Sequence, residues 1–150
     1  MTWRPRKPAS TTTPVPSVAA GTISLTPVQV AFSVIGQVPS LKNGRPIRRN
    51  PKTGKPFSAR SDESSQYLEN FVLQVPARYR NLGLGGLTTP LRSTVTVFYQ
   101  SWRSDLDCAV IYDGLQLAGV VANDRFIREH HEYAEVDPNN PHCEIHLEEI

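Results

Sequence analysis

From Leu91 to Tyr99 the side chains alternate along the chain. Val95, Val97 and Tyr99 fall on one side of an extended backbone, and Thr94, Thr96 and Phe98 on the other. β-Branched and aromatic residues suit a pleated, half-buried surface, so this segment predicts a strand that a core must cover on at least one face. The pattern recurs near both ends of the chain. Val28, Val30, Phe32 and Val34 share one side of 28–35, which Gly36 closes, and Cys143, Ile145 and Leu147 share one side of 143–150. Phe126 to Ala134 can form a further strand.

Two stretches keep helical spacing instead. Ser61 is a capping residue, and Asp62 and Glu63 follow where the helix dipole favours acids. Tyr67, Leu68, Phe71 and Val72 then make one apolar face, and Pro76 ends or kinks the helix. Cys108 to Leu117 reads as a shorter helix with Val110, Ile111, Leu115 and Leu117 as apolar surface, ended by Gly119. The order strand, loop, helix, strand, helix, strand, strand predicts a single α+β domain over residues 28–150: a mixed β-sheet with two helices. Residues 1–27 are rich in Pro, Thr, Ser and Ala and lack periodicity. This composition cannot offset its ordering entropy, so a disordered tail is expected.

Charge is divided unevenly. The net charge is only +2, yet ten of the 16 Lys and Arg residues precede Asp62, which is the first of the 14 acids. A polyanion partner is expected for the basic part. Its cations cluster at Lys42, Arg45, Arg48, Arg49, Lys52 and Lys55, around a Lys52-Thr-Gly-Lys55 stretch that reads as a hairpin tip or loop. Such a loop would contact nucleic-acid phosphates without reading sequence. Arg4, Arg6 and Lys7 extend the basic character into the tail. Cys108 and Cys143 form no C-x-x-C pair, and reduced thiols in a cytoplasmic protein are the simplest account. No apolar run approaches a membrane span or a signal peptide.

Asp105-Leu-Asp107 follows the central strand, and Asp124 arrives from a later loop. In an extended segment residues two apart face one side, so Asp105 and Asp107 can address one ion, and Asp124 would complete a hard-oxygen site suited to Mg²⁺. Other candidates are weaker. Within Glu129-His-His-Glu132 the two histidines of a strand point to opposite faces. His142 and His146 are four apart in a strand, a helical spacing, so neither group predicts zinc. Trp102 would either pack against the loop beside it or stack on a base. There is no Walker loop, since Lys-Ser/Thr does not follow Gly83-Leu-Gly-Gly86, and no H-E-x-x-H.

Asp105-Leu-Asp107, a helix carrying Asp113-Gly-Leu115, and Gly119-Val-Val-Ala-Asn-Asp124 resemble the signature of the RusA-type Holliday junction resolvases. Phe32-Ser-Val-Ile-Gly-Gln-Val-Pro-Ser-Leu-Lys-Asn43 is similar to that family's first strand and turn. The resemblance runs from about Val28 to Ile150. It implies a homodimeric, Mg²⁺-dependent (or Mn²⁺-dependent) endodeoxyribonuclease that resolves four-way junctions by paired nicks in recombination and repair, often of phage or prophage origin. It places catalytic and metal-ligating roles on Asp105, Asp107 and Asp124, with Asp113 as a ligand neighbour or structural acid. Phosphate contacts would fall to the basic loop and Arg103. The chain departs from the family at Cys108, where an asparagine is expected, and at Asn123-Asp124, where a D-D pair is expected. It also lacks the lysine one turn into the helix, in a segment about two residues shorter. Lys42, Arg103, Arg125 and Arg128 are the cations left to supply that charge. A junction-binding protein without nuclease activity is the alternative.

Overall fold

The computed structural model describes residues 28–40, 47–83, 85–103 and 105–150. The expectation for residues 1–27, and those for Lys42 and Arg45, fall outside them.

Four strands form a mixed sheet in the order β1-β6-β4-β5: β1 (Gln29–Ile35), β4 (Leu91–Tyr99), β5 (Ile127–Val136) and β6 (His142–Glu149). β6 runs antiparallel to both β1 and β4, while β4 and β5 are parallel. A parallel neighbour needs a crossover, and helix α2 (Ala109–Leu117) supplies it. Helix α1 (Asp62–Gln74) packs beside α2 on the same face of the sheet. Strands β2 (Ile47–Arg49) and β3 (Pro56–Ser58) pair as a separate hairpin, and all their strand residues are exposed. The α+β class, the single domain, the mixed sheet and the two helices match the sequence pattern.

The core lies between the sheet and the helices. Every second residue of β4 is buried, from Leu91 through Ser93, Val95 and Val97 to Tyr99. Val30 and Val34 of β1 and Cys143, Ile145 and Leu147 of β6 continue that surface. α1 covers it with Tyr67, Leu68 and Phe71. The Phe71 ring meets Phe32 edge-on at 6.1 Å, and the Tyr67 hydroxyl lies 3.5 Å from Cys143 Sγ. Burial pushes that thiol up to about 11. α2 adds Val110, Ile111 and Leu115, whereas Leu117 is 64 % exposed and serves no part of this core.

Gly114 lets the two helices close on each other. A Cβ there would sit 2.6 Å from the Phe71 ring, so any side chain would push the ring aside. The ends of α1 are also satisfied. Ser61 Oγ accepts from the Ser64 amide at 3.2 Å, as the sequence predicted. Past Pro76 the chain turns back, and the Arg80 guanidinium donates to the carbonyls of Val75 at 2.8 Å and Leu73 at 2.6 Å.

The opposite face of the sheet carries Ala31, Ser33, Thr94, Thr96, Glu144 and His146 around a shallow recess of about 400 Å³. Phe98 and His142 stack there at 4.2 Å. Arg92 bridges Glu129 and Glu148 across three strands and holds the Glu129 carboxyl below its ordinary range.

Several expectations shift by a residue or two. α2 begins at Ala109 with Cys108 as its cap residue. β5 runs Ile127–Val136, because Asp124–Phe126 forms a 3₁₀ turn before it. Trp102 does not pack against its loop: it is 74 % exposed.

Candidate active site

The acidic residues follow from the β4-α2-β5 crossover. β4 ends at Tyr99, and the chain needs a short loop before it can turn back as α2. Asp105 and Asp107 lie in that loop. Asp105 is partly buried, and Asp107 is 8 % exposed. The Asp107 amide donates to the Tyr99 hydroxyl at 3.5 Å, and its Oδ1 accepts from the Ala109 amide at 3.1 Å. Asp107 thereby binds one of the unpaired amides at the start of α2, where the helix dipole also favours a carboxylate. The Arg103 guanidinium, from the same loop, sits 4.9 Å from the centre of the Tyr99 ring.

Asp124 follows α2. Asn123 Oδ1 accepts from the Arg125 amide at 3.0 Å and starts the 3₁₀ turn that carries Asp124 out to solvent before β5 begins. Asp124 lines a cleft of about 420 Å³ between α2 and β5, together with Ala109, Tyr112, Asp113, Arg125 and His130. Asp113 also pairs with Arg60 at 2.8 Å. The cleft therefore brings Asp113 and Asp124 to one surface, with Arg125 beside them. Asp105 and Asp107 are outside its lining, next to Ala109 on the first turn of α2.

Among the described residues, no three His, Cys, Asp or Glu side chains converge as a ready ligand group. The chemistry of the acids still suits Mg²⁺, a hard cation that needs only one or two carboxylates and otherwise keeps its waters. One oxygen of Asp107 is already bound to the helix amide.

β5 departs from the alternation expected of a strand under a helix. A register shift between Leu91 and Arg92 aligns His130 with Ser93 and Glu132 with Val95, which puts both polar residues on the helix side of the sheet, where they stay exposed at its β5 edge. His131 pairs with Thr94 and lies on the other face, so the two histidines do point apart, as read from sequence. Glu132 accepts from the Tyr112 hydroxyl at 2.9 Å, and that hydroxyl lies 3.3 Å from Ser93 Oγ. The His130 ring meets Tyr112 edge-on at 5.0 Å. Burial, and then the charge of the Glu132 carboxylate, push the Cys108 thiol up. Sequence reasoning missed Tyr112 and Ser93, and met Glu132 only as part of a weak metal candidate. The available signal was a strand whose central inward positions are not apolar.

The basic hairpin forms as its turn chemistry predicted. The Gly54 amide donates to the Asn50 carbonyl at 2.8 Å, and Gly54 takes φ 67°, a conformation that favours glycine. Arg49, Lys52 and Lys55 are exposed, while Arg48 pairs with Asp62 at 3.1 Å.

The sequence matches no family model and no curated protein. Among the described residues, no helix is long and apolar enough to cross a membrane.

Proposed function

We propose that this chain is a metal-dependent endodeoxyribonuclease of the RusA type, acting on branched DNA in recombination or repair. The observation that carries the reading is the β4-α2-β5 unit. It sets Asp105 and Asp107 at the start of α2 and brings Asp124 into the cleft along the same helix. Carboxylates before and after one short helix, on a domain that also extends a cationic hairpin, suit a reaction on a phosphate backbone.

Each group has a part in that reading. Asp105, Asp107 and Asp124 would hold Mg²⁺ or Mn²⁺, with Asp113 alongside. The ion would neutralise charge on the phosphate and lower the pKa of a bound water. The Ala109 amide fixes the direction of the Asp107 carboxylate, so this ligand needs no reorganisation when substrate arrives. Arg49, Lys52 and Lys55, with Arg48 and the more distant Arg103, bind phosphates and set the position of the duplex. Lys42 and Arg45 belong to the same basic segment by sequence. A homodimer would present two such sites to symmetry-related strands, which paired nicking of a four-way junction requires.

A second reading is a junction-binding protein without nuclease activity. It is favoured by the composition of α2, which carries no lysine between Ala109 and Leu117.

The test is a synthetic four-way junction incubated with the purified protein in Mg²⁺ or in EDTA, resolved on a denaturing gel. Symmetric Mg²⁺-dependent nicks are expected. Salt-sensitive binding without nicks would select the second reading, and absence of both would overturn the two together.

A further inference from the structure

Arg60 lies outside the cationic cluster of residues 42–55, yet the fold carries it to the acids. It stands two residues past the end of β3 and two before the start of α1. Its Cα is therefore within about 7 Å of that of Ser58. Its Nη2 pairs with Asp113 Oδ2 at 2.8 Å, halfway along α2. Arg48 of the hairpin pairs in turn with Asp62 at the start of α1. The base of the hairpin is thus tied to both helices.

Stability does not account for the Arg60 pair. Its two side chains are 44 % and 45 % exposed, and ion pairs in water are worth little. What the pair fixes is direction. Asp113 engages one nitrogen of a planar fork that carries five N–H donors. Among the described residues, no hydrogen bond uses Nε or Nη1 of Arg60. The side chain borders a recess of about 370 Å³ with Asp113, Gln116 and Leu117. Asp113 is also in the wall of the neighbouring cleft, with Asp124 and Arg125. Arg60 and Arg125 therefore occupy the two depressions that share Asp113. A phosphate that approaches Asp113 and Asp124 is repelled by both carboxylates, and a cation in each depression offsets that repulsion.

We infer that Arg60 is a phosphate-contacting residue of this site: held by Asp113, its guanidinium takes a phosphodiester oxygen and continues the hairpin's cationic track to the carboxylates. The inference rests on the proposed reading that the chain binds DNA, and adds the contact that joins hairpin to cleft. Arginine suits the position because its fork gives one N–H to a carboxylate and still offers others to a phosphate.

The experiment is fluorescence anisotropy of a four-way DNA junction in EDTA, across a salt series. It compares the wild-type chain with Arg60→Ala, Arg60→Lys, Asp113→Ala and Arg78→Ala. Arg78 lies beyond the other end of α1, a helix about 20 Å long, which is further than a charge acts through salt. We expect Arg60→Ala to weaken binding about tenfold and to make the slope of log K against log salt shallower by about 0.9. Arg60→Lys keeps the charge and should restore the slope. Asp113→Ala leaves the arginine and removes a repelling charge, so it should not reproduce the loss. Arg78→Ala should change neither affinity nor slope, and the melting temperature of Arg60→Ala should match wild type. Arg60→Ala behaving like Arg78→Ala would overturn the inference. So would equal losses in Arg60→Ala and Asp113→Ala, which mark the pair as a tie for the hairpin and not a phosphate contact. A wild-type chain that binds no DNA would overturn this inference and the DNA reading together, whereas wild-type binding that Arg60→Ala leaves intact strikes this inference alone.

Discussion

The Asp107 carboxylate and the Ala109 amide form a 3.1 Å hydrogen bond that begins helix α2. One oxygen of Asp107 is thus structural, and the chemistry proposed for this residue depends on its charge. The two roles separate in Asp107→Asn. Asparagine keeps an oxygen for the Ala109 amide, so thermal stability should change little. Nicking should fall by about 100-fold or more, beyond the roughly 10–100-fold cost of removing a metal ligand's outer partner, while junction binding persists. A gel assay paired with a melting curve measures both. Full nicking in this variant would remove Asp107 from the site.

The hairpin predicts a salt signature. Replacing Arg49, Lys52 and Lys55 by alanine should weaken binding to every DNA sequence alike. The slope of log K against log salt should become shallower by about 0.9 for each phosphate that is no longer neutralised. Fluorescence anisotropy across a salt series reads this slope. An unchanged slope would place the DNA elsewhere on the molecule.

Gly114→Ala sets two effects against each other. Alanine favours a helix interior by about 1 kcal/mol over glycine. Here its Cβ would meet the Phe71 ring at 2.6 Å, and overpacking a closed core costs about 1–3 kcal/mol. The clash should win, and a urea titration should show a lower midpoint at unchanged slope.

Alkaline pH should weaken the fold through Cys143. Burial raises this thiol from 9.0 to about 11, so the folded chain holds the proton more tightly than the unfolded chain does. Its stabilising contribution is complete below 9.0 and is lost as pH climbs towards about 11. Cys143→Ser removes the titration and keeps a hydroxyl near Tyr67. Its urea midpoint should fall less steeply across that window, with Cys108 and the tyrosines accounting for the remainder.

The sequence discloses those parts of this molecule that repeat or punctuate. Ser61, Asp62 and Glu63 start α1, Pro76 stops it, and Val30 with Val34 marks the covered side of β1, because each follows a local rule of spacing or capping. β5 obeys no such rule. Its His130 and Glu132 face the helix side, where Glu132 accepts from Tyr112, and the register shift that turns them there lies in the pairing with β4, which no local pattern reports. Arg80 is hidden for a similar reason: its bonds to Leu73 and Val75 exist only after the chain has folded back past Pro76. For the candidate site, sequence spacing identifies Asp105, Asp107 and Asp124 as neighbours along the chain. It does not disclose that Asp124 shares a cleft with Asp113, or that Asp107 gives an oxygen to α2.

The strand order β1-β6-β4-β5 bears on how the molecule is assembled. β6, the last strand in sequence, lies between the first strand and the central one. Among the described strands, β1 has no partner in the sheet until residues 142–149 are available, and β4 has only β5. Pairings between residues as distant as Gln29 and Glu148 close late and slowly, since the chain entropy of a long loop must be overcome first. While the chain is being synthesised, the α2 region can therefore form before the surface beneath α1 does. A cut within β6 would leave β1 and β4 as two unconnected edges and expose both to aggregation.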